Sequence, residues 1–213
     1  GYLMHLNSKR YRDYMAAMAG AANYAFANRQ VLAHMVRRTF EQVLAGKVSN
    51  WLLDQIYDVT HNVAKVEEQS VDGQPRKLIV HRKGATRAFP PGHPELTEVY
   101  RETGQPVLVP GSMGTASYVM AGEPASMDLT FGSSCHGAGR TMSRRAATRQ
   151  KRGEKVREEL QDQGVAVRAK SMRGLAEEAP YAYKDVSLVV DSVEGAGIAR
   201  KVARAHPIGV IKG

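Results

Sequence analysis

Between positions 9 and 45, apolar residues recur at helical spacing: Tyr14, Met15, Met18, Ala22 and Ala25, then Leu32, Met35, Val36, Phe40, Val43 and Leu44. That period predicts one long helix or two in series, closed by Gly46 and tolerating Gly20 inside it. The period then changes. Residues 56–67 and 77–82 read as strands flanking Val71-Asp72-Gly73-Gln74, and an Asp-Gly pair between strands predicts a tight hairpin turn. Residues 83–92 are polar and bear glycine and proline, which predicts a surface loop carrying Arg82, Lys83 and Arg87. A second strand pair is expected at 106–109 and 117–120, joined by Pro110-Gly111-Ser112-Met113-Gly114-Thr115. After a small-residue loop at 132–139 the pattern predicts a charged helix over 140–163, a short strand at 165–169, a helix over 186–205 and a terminal strand at 207–211. Helices and strands are interspersed without regular β-α-β alternation, so the class expected is α+β, with mixed sheets and flanking helices.

The chain has 213 residues, enough for a real hydrophobic core, and a single domain over 1–213 is the starting expectation. Hydrophobic residues at 43% and charged residues at 24% exclude the profile of a disordered chain. The longest apolar runs are too short to span a bilayer and no charged-then-apolar leader opens the chain, so a cytoplasmic location is expected. The single cysteine, Cys135, allows neither an intrachain disulfide nor a cysteine-based zinc cage, which agrees with a reducing compartment. A formal charge of +9 favours polyanionic partners through counterion release without specifying which polyanion.

Chemistry concentrates in three places. In Phe131-Gly132-Ser133-Ser134-Cys135-His136-Gly137-Ala138-Gly139-Arg140, small residues on both sides of a histidine let a bulky ligand approach. A helix starting at Arg140 would aim free N–H groups at such a ligand, and anion binding would follow. On that helix Arg140 and Arg144 would lie one turn apart. The plainer alternative is a glycine turn before a solvated basic helix. Residues 110–117 offer backbone amides with the hydroxyls of Ser112, Thr115 and Ser117, which suits phosphate or ribose oxygens but also an ordinary hairpin connection. His61-Asn62 sits on what reads as a strand. Such a histidine can ligate a metal or simply hydrogen-bond at a core rim, and no second histidine or carboxylate stands at ligand spacing. His5, His34, His81, His93 and His206 form no pattern, and Lys212 is a penultimate lysine.

The order and spacing of these pieces resemble one family. The segments Ala22-Asn23-Tyr24-Ala25-Phe26-Ala27-Asn28-Arg29-Gln30, Asp58-Val59-Thr60-His61-Asn62-Val63-Ala64-Lys65 and His81-Arg82-Lys83-Gly84-Ala85-Thr86-Arg87-Ala88-Phe89-Pro90-Pro91 are similar to the C-terminal half of RtcB RNA ligases. So are Gly111-Ser112-Met113-Gly114-Thr115, Cys135-His136-Gly137-Ala138-Gly139-Arg140 and the ending Gly209-Val210-Ile211-Lys212-Gly213. The resemblance implies that His136 attacks the α-phosphate of GTP and becomes guanylylated. GMP then passes to an RNA 3′-phosphate, and a 5′-hydroxyl displaces it to seal the strand. A 2′,3′-cyclic phosphate is first opened by hydrolysis, and manganese drives the chemistry.

It further implies that His61 is a manganese ligand and that Asn62 lines the GTP site. Pro110, Gly111, Ser112, Met113 and Ser117 would hold the nucleotide, with Gly137, Ala138 and Gly139 beside His136. Lys212 would reach the guanine, Lys83 and Tyr183 would neighbour the nucleotide, and Arg140 and Arg144 would meet RNA phosphates, the RNA being tRNA halves or broken ends. The family's upstream half, which supplies an Asp, a Cys and two further His metal ligands, has no counterpart here. A fragment lacking its N-terminal part, inactive alone, is therefore expected. The rival readings are a non-catalytic nucleotide- or RNA-binding remnant and a structural subunit of an RNA-processing complex.

Overall fold

A computed structural model describes residues 8–212, so His5 and Gly213 lie outside it. The first helix, α1 (Lys9–Leu44), is one continuous rod of 36 residues. Ser8 caps its start by accepting from the Tyr11 N–H at 3.2 Å, and Gly46, at φ +76°, turns the chain away from its end. No residue of α1 is buried.

The hairpin forms as the Asp-Gly signal predicts. Strands β1 (Asn62–Val71) and β2 (Gln74–Lys83) pair antiparallel across Asp72 (φ 52°) and Gly73 (φ 75°), the two positive φ values that the tightest hairpin turn requires. β1 begins at Asn62 and not at Ile56; residues 51–60 before it belong to no helix or strand. The next stretch corrects the surface-loop expectation. Within it, β3 (Ala85–Arg87) pairs with β6 (Ser133–Cys135). Arg82 is buried, held by the buried Glu67 at 2.8 Å, and Arg87 reaches the same carboxylate at 2.6 Å. A charge run reads as solvated until a buried partner is found for it; the hairpin pairs Arg82 with Val63 and Glu67 with Leu78, on one face, and the long Arg82 side chain covers the interval between them.

Strands β4 (Pro106–Val109) and β5 (Ser117–Gly122) form the predicted pair, extended by β8 (Ala199–Ala205) into a three-stranded antiparallel sheet. The short α2 (Ala125–Thr130) was not legible in the apolar pattern. Two expected helices are corrected. The 140–163 segment is not one helix from Arg140: α3 (Arg144–Gln150) starts after Ser143, whose Oγ accepts the Ala146 N–H, and α4 (Gly153–Asp162) follows a break. At that break a Cβ on Gly153 would lie 1.9 Å from the Met172 carbonyl oxygen, so the chain passes where only glycine fits. The 186–205 segment is α6 (Val186–Gly195) followed by β8. Gly197, at φ +68°, turns the chain between them, a stop signal that the apolar period had masked. The strand β7 (Ala166–Ala169) pairs in parallel with the terminal β9 (Gly209–Lys212), and α5 (Met172–Glu177) lies between them in sequence.

The fold is α+β. Its apolar residues gather in two cores. One joins the sheet to α6 through Val107, Val109, Met120, Val186 and Val190; the other joins α4, α5 and β7 through Val156, Leu160, Val165, Val167 and Leu175. Each fully buried side chain of this kind contributes about 1.5–3 kcal/mol. The loop between β4 and β5 crosses from one core to the other, since Val109 and Ala116 belong to the first and Met113 to the second. Among the described residues no helix is long and apolar enough to cross a membrane.

Candidate functional site

The candidate site lies where the β4–β5 loop passes between the two cores. A cavity of about 310 Å³ opens there, lined by Pro110, Gly111, Ser112, Met113 and Ser117 from the β4–β5 loop, by Glu178 and Tyr183 from the segment after α5, and by Gly209 to Lys212 of β9. Its size lies at the small end of ligand pockets. The loop is held rigidly. Gly111 N–H donates to Ser117 Oγ at 3.2 Å, Ser112 N–H donates to Thr115 Oγ1 at 2.7 Å, and a Cβ on Gly111 would lie 2.1 Å from the Ala116 carbonyl oxygen. The amides expected to be free are thus engaged by the loop's own hydroxyls, so a ligand would meet the serine and threonine oxygens first.

His136 follows β6 directly, and its loop is pinned to the same wall. Ala138 N–H donates to the Pro110 carbonyl at 3.2 Å, and a Cβ on Gly137 would lie 3.4 Å from that oxygen. His136 itself does not line the cavity. Its ring sits against Gly84, where φ is +71°, with room for a Cβ only 3.5 Å from Cδ2 and Nε2. The His61 ring stands 4.2 Å from it, centroid to centroid, at a 36° tilt. His61 immediately precedes β1, and its carbonyl accepts the Gly84 N–H at 2.9 Å. Spacing along the chain could not reveal this pair, because hairpin pairing and the β3–β6 bridge create it. Asn62 and Lys83, both exposed, face each other across the end of the hairpin. Burial, together with the nearby His61 and Lys83 charges, holds the His136 imidazole below the ordinary histidine range. At neutral pH the ring therefore keeps a free nitrogen lone pair, the form that can act as a nucleophile.

Arg140 and Arg144 are not neighbours on one helix face. Arg140 lies on extended chain bridged to Tyr183, with Thr141 N–H donating to the Ala182 carbonyl and Lys184 N–H to the Gly139 carbonyl. Its guanidinium donates to the carbonyls of Met142 (3.0 Å) and Glu177 (2.7 Å) and to the Tyr183 hydroxyl (3.1 Å), and it stacks 4.9 Å from the Tyr183 ring centroid. The Tyr183 hydroxyl in turn donates to Glu178. Burial and then the Glu178 carboxylate raise the Tyr183 pKa, so the phenol stays protonated and remains a donor. Arg144, the first residue of α3, pairs with Glu178 at 2.7 Å. Glu178 was missed in the sequence. Its only signal there is an acidic pair, Glu177-Glu178, and nothing in the spacing ties that pair to Arg140 or Arg144.

A family profile described as tRNA-splicing ligase RtcB matches residues 2–213. The chain belongs to the RtcB family. It is 58% identical over 206 residues to the tRNA-splicing ligase RtcB of Thermococcus kodakarensis, covering 97% of this chain and 43% of that relative. The same-named protein of Archaeoglobus fulgidus is 55% identical over 208 residues, with 98% and 43% covered. That of Pyrococcus abyssi is 58% identical over 206 residues, with 97% and 22% covered. The chain therefore spans less than half the length of these RtcB relatives.

Proposed function

We propose that this chain is the guanylate-accepting part of an RNA ligase that uses GTP and manganese to join RNA 3′-phosphate or 2′,3′-cyclic phosphate ends to 5′-hydroxyl ends. One observation carries the reading: residues far apart in sequence, Pro110 to Met113 with Ser117, Tyr183 and Lys212, line one cavity whose Pro110 wall also anchors the His136 loop. In the first step a ring nitrogen of His136 bonds to the α-phosphorus of GTP. The bond from that phosphorus to the oxygen bridging to the β-phosphate breaks, pyrophosphate leaves, and the ring releases its N–H proton to solvent. An RNA 3′-phosphate oxygen then takes the GMP from His136, and a 5′-hydroxyl displaces GMP. The cavity residues and Asn62 hold the nucleotide, Lys212 reaches the guanine, Lys83 offsets phosphate charge, and Arg144 offers its charge to RNA.

His61 supplies a nitrogen donor of a kind manganese accepts. Among the described residues no three His, Cys, Asp or Glu side chains gather where they could share a metal ion. The donors present therefore fit one corner of a coordination shell that other residues must complete. By the family resemblance, the upstream half supplies those donors and is the partner the reaction needs. Bound there, manganese would neutralise phosphate charge during attack.

The test joins the chain to an upstream RtcB half and supplies manganese with GTP labelled at the α-phosphate. Label should attach through a linkage labile to acid and comparatively stable to alkali, and His136→Ala should abolish it. Label that survives in His136→Ala sinks the reading.

A further inference from the structure

We propose that Arg140 is a positioning residue of the nucleotide cavity: it fixes Tyr183 and Glu178 in the cavity wall and does not bind RNA phosphate. The inference rests on the reading of that cavity as the nucleotide site. Three of the five Arg140 N–H groups, one on each nitrogen, are already engaged within the protein. Nε donates to the Met142 carbonyl at 3.0 Å, one terminal nitrogen to the Tyr183 hydroxyl at 3.1 Å, and the other to the Glu177 carbonyl at 2.7 Å. The guanidinium plane lies over the Tyr183 ring at 4.9 Å and the Glu178 carboxylate stands 3.7 Å away. The Arg140 side chain is 22% exposed, against 64% for Arg144.

A phosphate that drew Arg140 outward would break three charge-assisted or polar hydrogen bonds and leave the Glu177 and Met142 carbonyls unpaired. Each of those losses is as large as the stabilisation that one new hydrogen bond to phosphate would return. Arg140 therefore stays where it is, and its effect passes through the residues it holds. Tyr183 accepts from Arg140 and donates to Glu178, and both Tyr183 and Glu178 line the cavity with Ser112, Ser117 and Lys212. Without the fork, Tyr183 loses its stacking partner and the Glu178 carboxylate loses a neighbouring cation, so the wall loosens at the point where a nucleotide would rest. The backbone does not depend on this side chain, because Gly139 and Thr141 are bonded through main-chain atoms to Lys184 and Ala182.

Arg140→Lys separates the two roles, since lysine keeps the positive charge but cannot form the planar fork or the stack. The assay uses the chain joined to its upstream half, scoring guanylylation against GTP concentration and RNA affinity against salt. For Arg140→Lys, KM for GTP should rise about tenfold, the loss expected when charge-assisted hydrogen bonds are removed, with kcat little changed and the salt slope of RNA binding unaltered. Tyr183→Phe, which keeps the ring and removes the hydroxyl, should raise the same KM by a smaller factor and guards against a folding artefact in the lysine variant. An unchanged KM for GTP in both variants overturns the proposal. So does a salt slope of RNA binding flattened by about one unit in Arg140→Gln, which removes the charge and with it any phosphate contact. If the unsubstituted protein takes no GMP, the nucleotide reading itself fails and not this assignment alone.

Discussion

The helix α1 and the two-core region that follows residue 104 are built from similar apolar material and end in opposite states. In the second region Val107, Met120, Leu160, Leu175 and Val190 are fully enclosed. On α1 the apolar stripe of Leu32, Met35, Val36, Phe40 and Val43 is exposed, and no residue of the helix is buried. Between the helix and residues 50–60, Arg29 meets Asp58 at 2.6 Å and Arg37 donates to the Leu53 carbonyl at 2.8 Å, beside a cavity of about 340 Å³. An amphipathic period makes a helix but cannot supply the surface that buries it, and among the described residues none does. The hairpin is intermediate: its long strands are largely exposed, yet Glu67, Arg82 and Arg87 weld its base to β3.

Substitutions in each region test that contrast. The largest loss belongs to the weld. The Glu67 and Arg82 side chains are each 1% exposed, so Glu67→Gln leaves a buried guanidinium uncompensated and should lower unfolding free energy by about 3–5 kcal/mol in urea titrations. Stability should also depend on pH through this residue. Burial pushes the Glu67 carboxyl up, but hydrogen bonds and charge from Arg82, with the charge of Arg87, hold it below the ordinary glutamate range overall. Its stabilising share is therefore present above about pH 4.3 and is lost as pH falls through the folded value. The Gln variant should show a shallower acid limb than the parent, and parallel acid limbs would show that the weld carries little.

Next in size is Leu160→Ala in the second core, which should cost about 2–5 kcal/mol by the same titration, because the packed helices α4 and α5 cannot close over the void. The same kind of change on α1, Val36→Ala, should shift stability by no more than about 0.5 kcal/mol, as exposed substitutions do. A loss at Val36 approaching that at Leu160 would mean the stripe is covered in solution and would erase the contrast.

Much of the candidate site's lining was legible residue by residue. The family resemblance named Pro110, Gly111, Ser112, Met113, Ser117, Tyr183 and Lys212, which the fold gathers round one cavity, and the Asp72-Gly73 turn set the register of the hairpin that follows His61. The pairing of His61 with His136 was not legible, nor was the place of Glu178 in the cavity wall, since both join segments with no common local pattern. The helices over-read at 140–163 and 186–205 failed for a related reason: charge and apolar period run on through Gly153 and Gly197, while close approach to Met172 and the pairing of β8 with β5 decide where each helix stops.

Local pattern along the chain was enough for what depends on near neighbours: the helical character of 9–45, though not that it is one helix and not two, the hairpin and its turn, the strand pair around the 110–117 loop, and a histidine with small residues on both sides. Tertiary structure decided what depends on encounter between distant segments. It buried Arg82 against Glu67, turned Arg140 from a helical surface residue into a strut under Tyr183, and gathered the terminal lysine into a cavity between two cores. The physical reason is that period and turn chemistry act within a few residues along the chain, whereas desolvation and ion pairing are set by whichever residues the fold brings together.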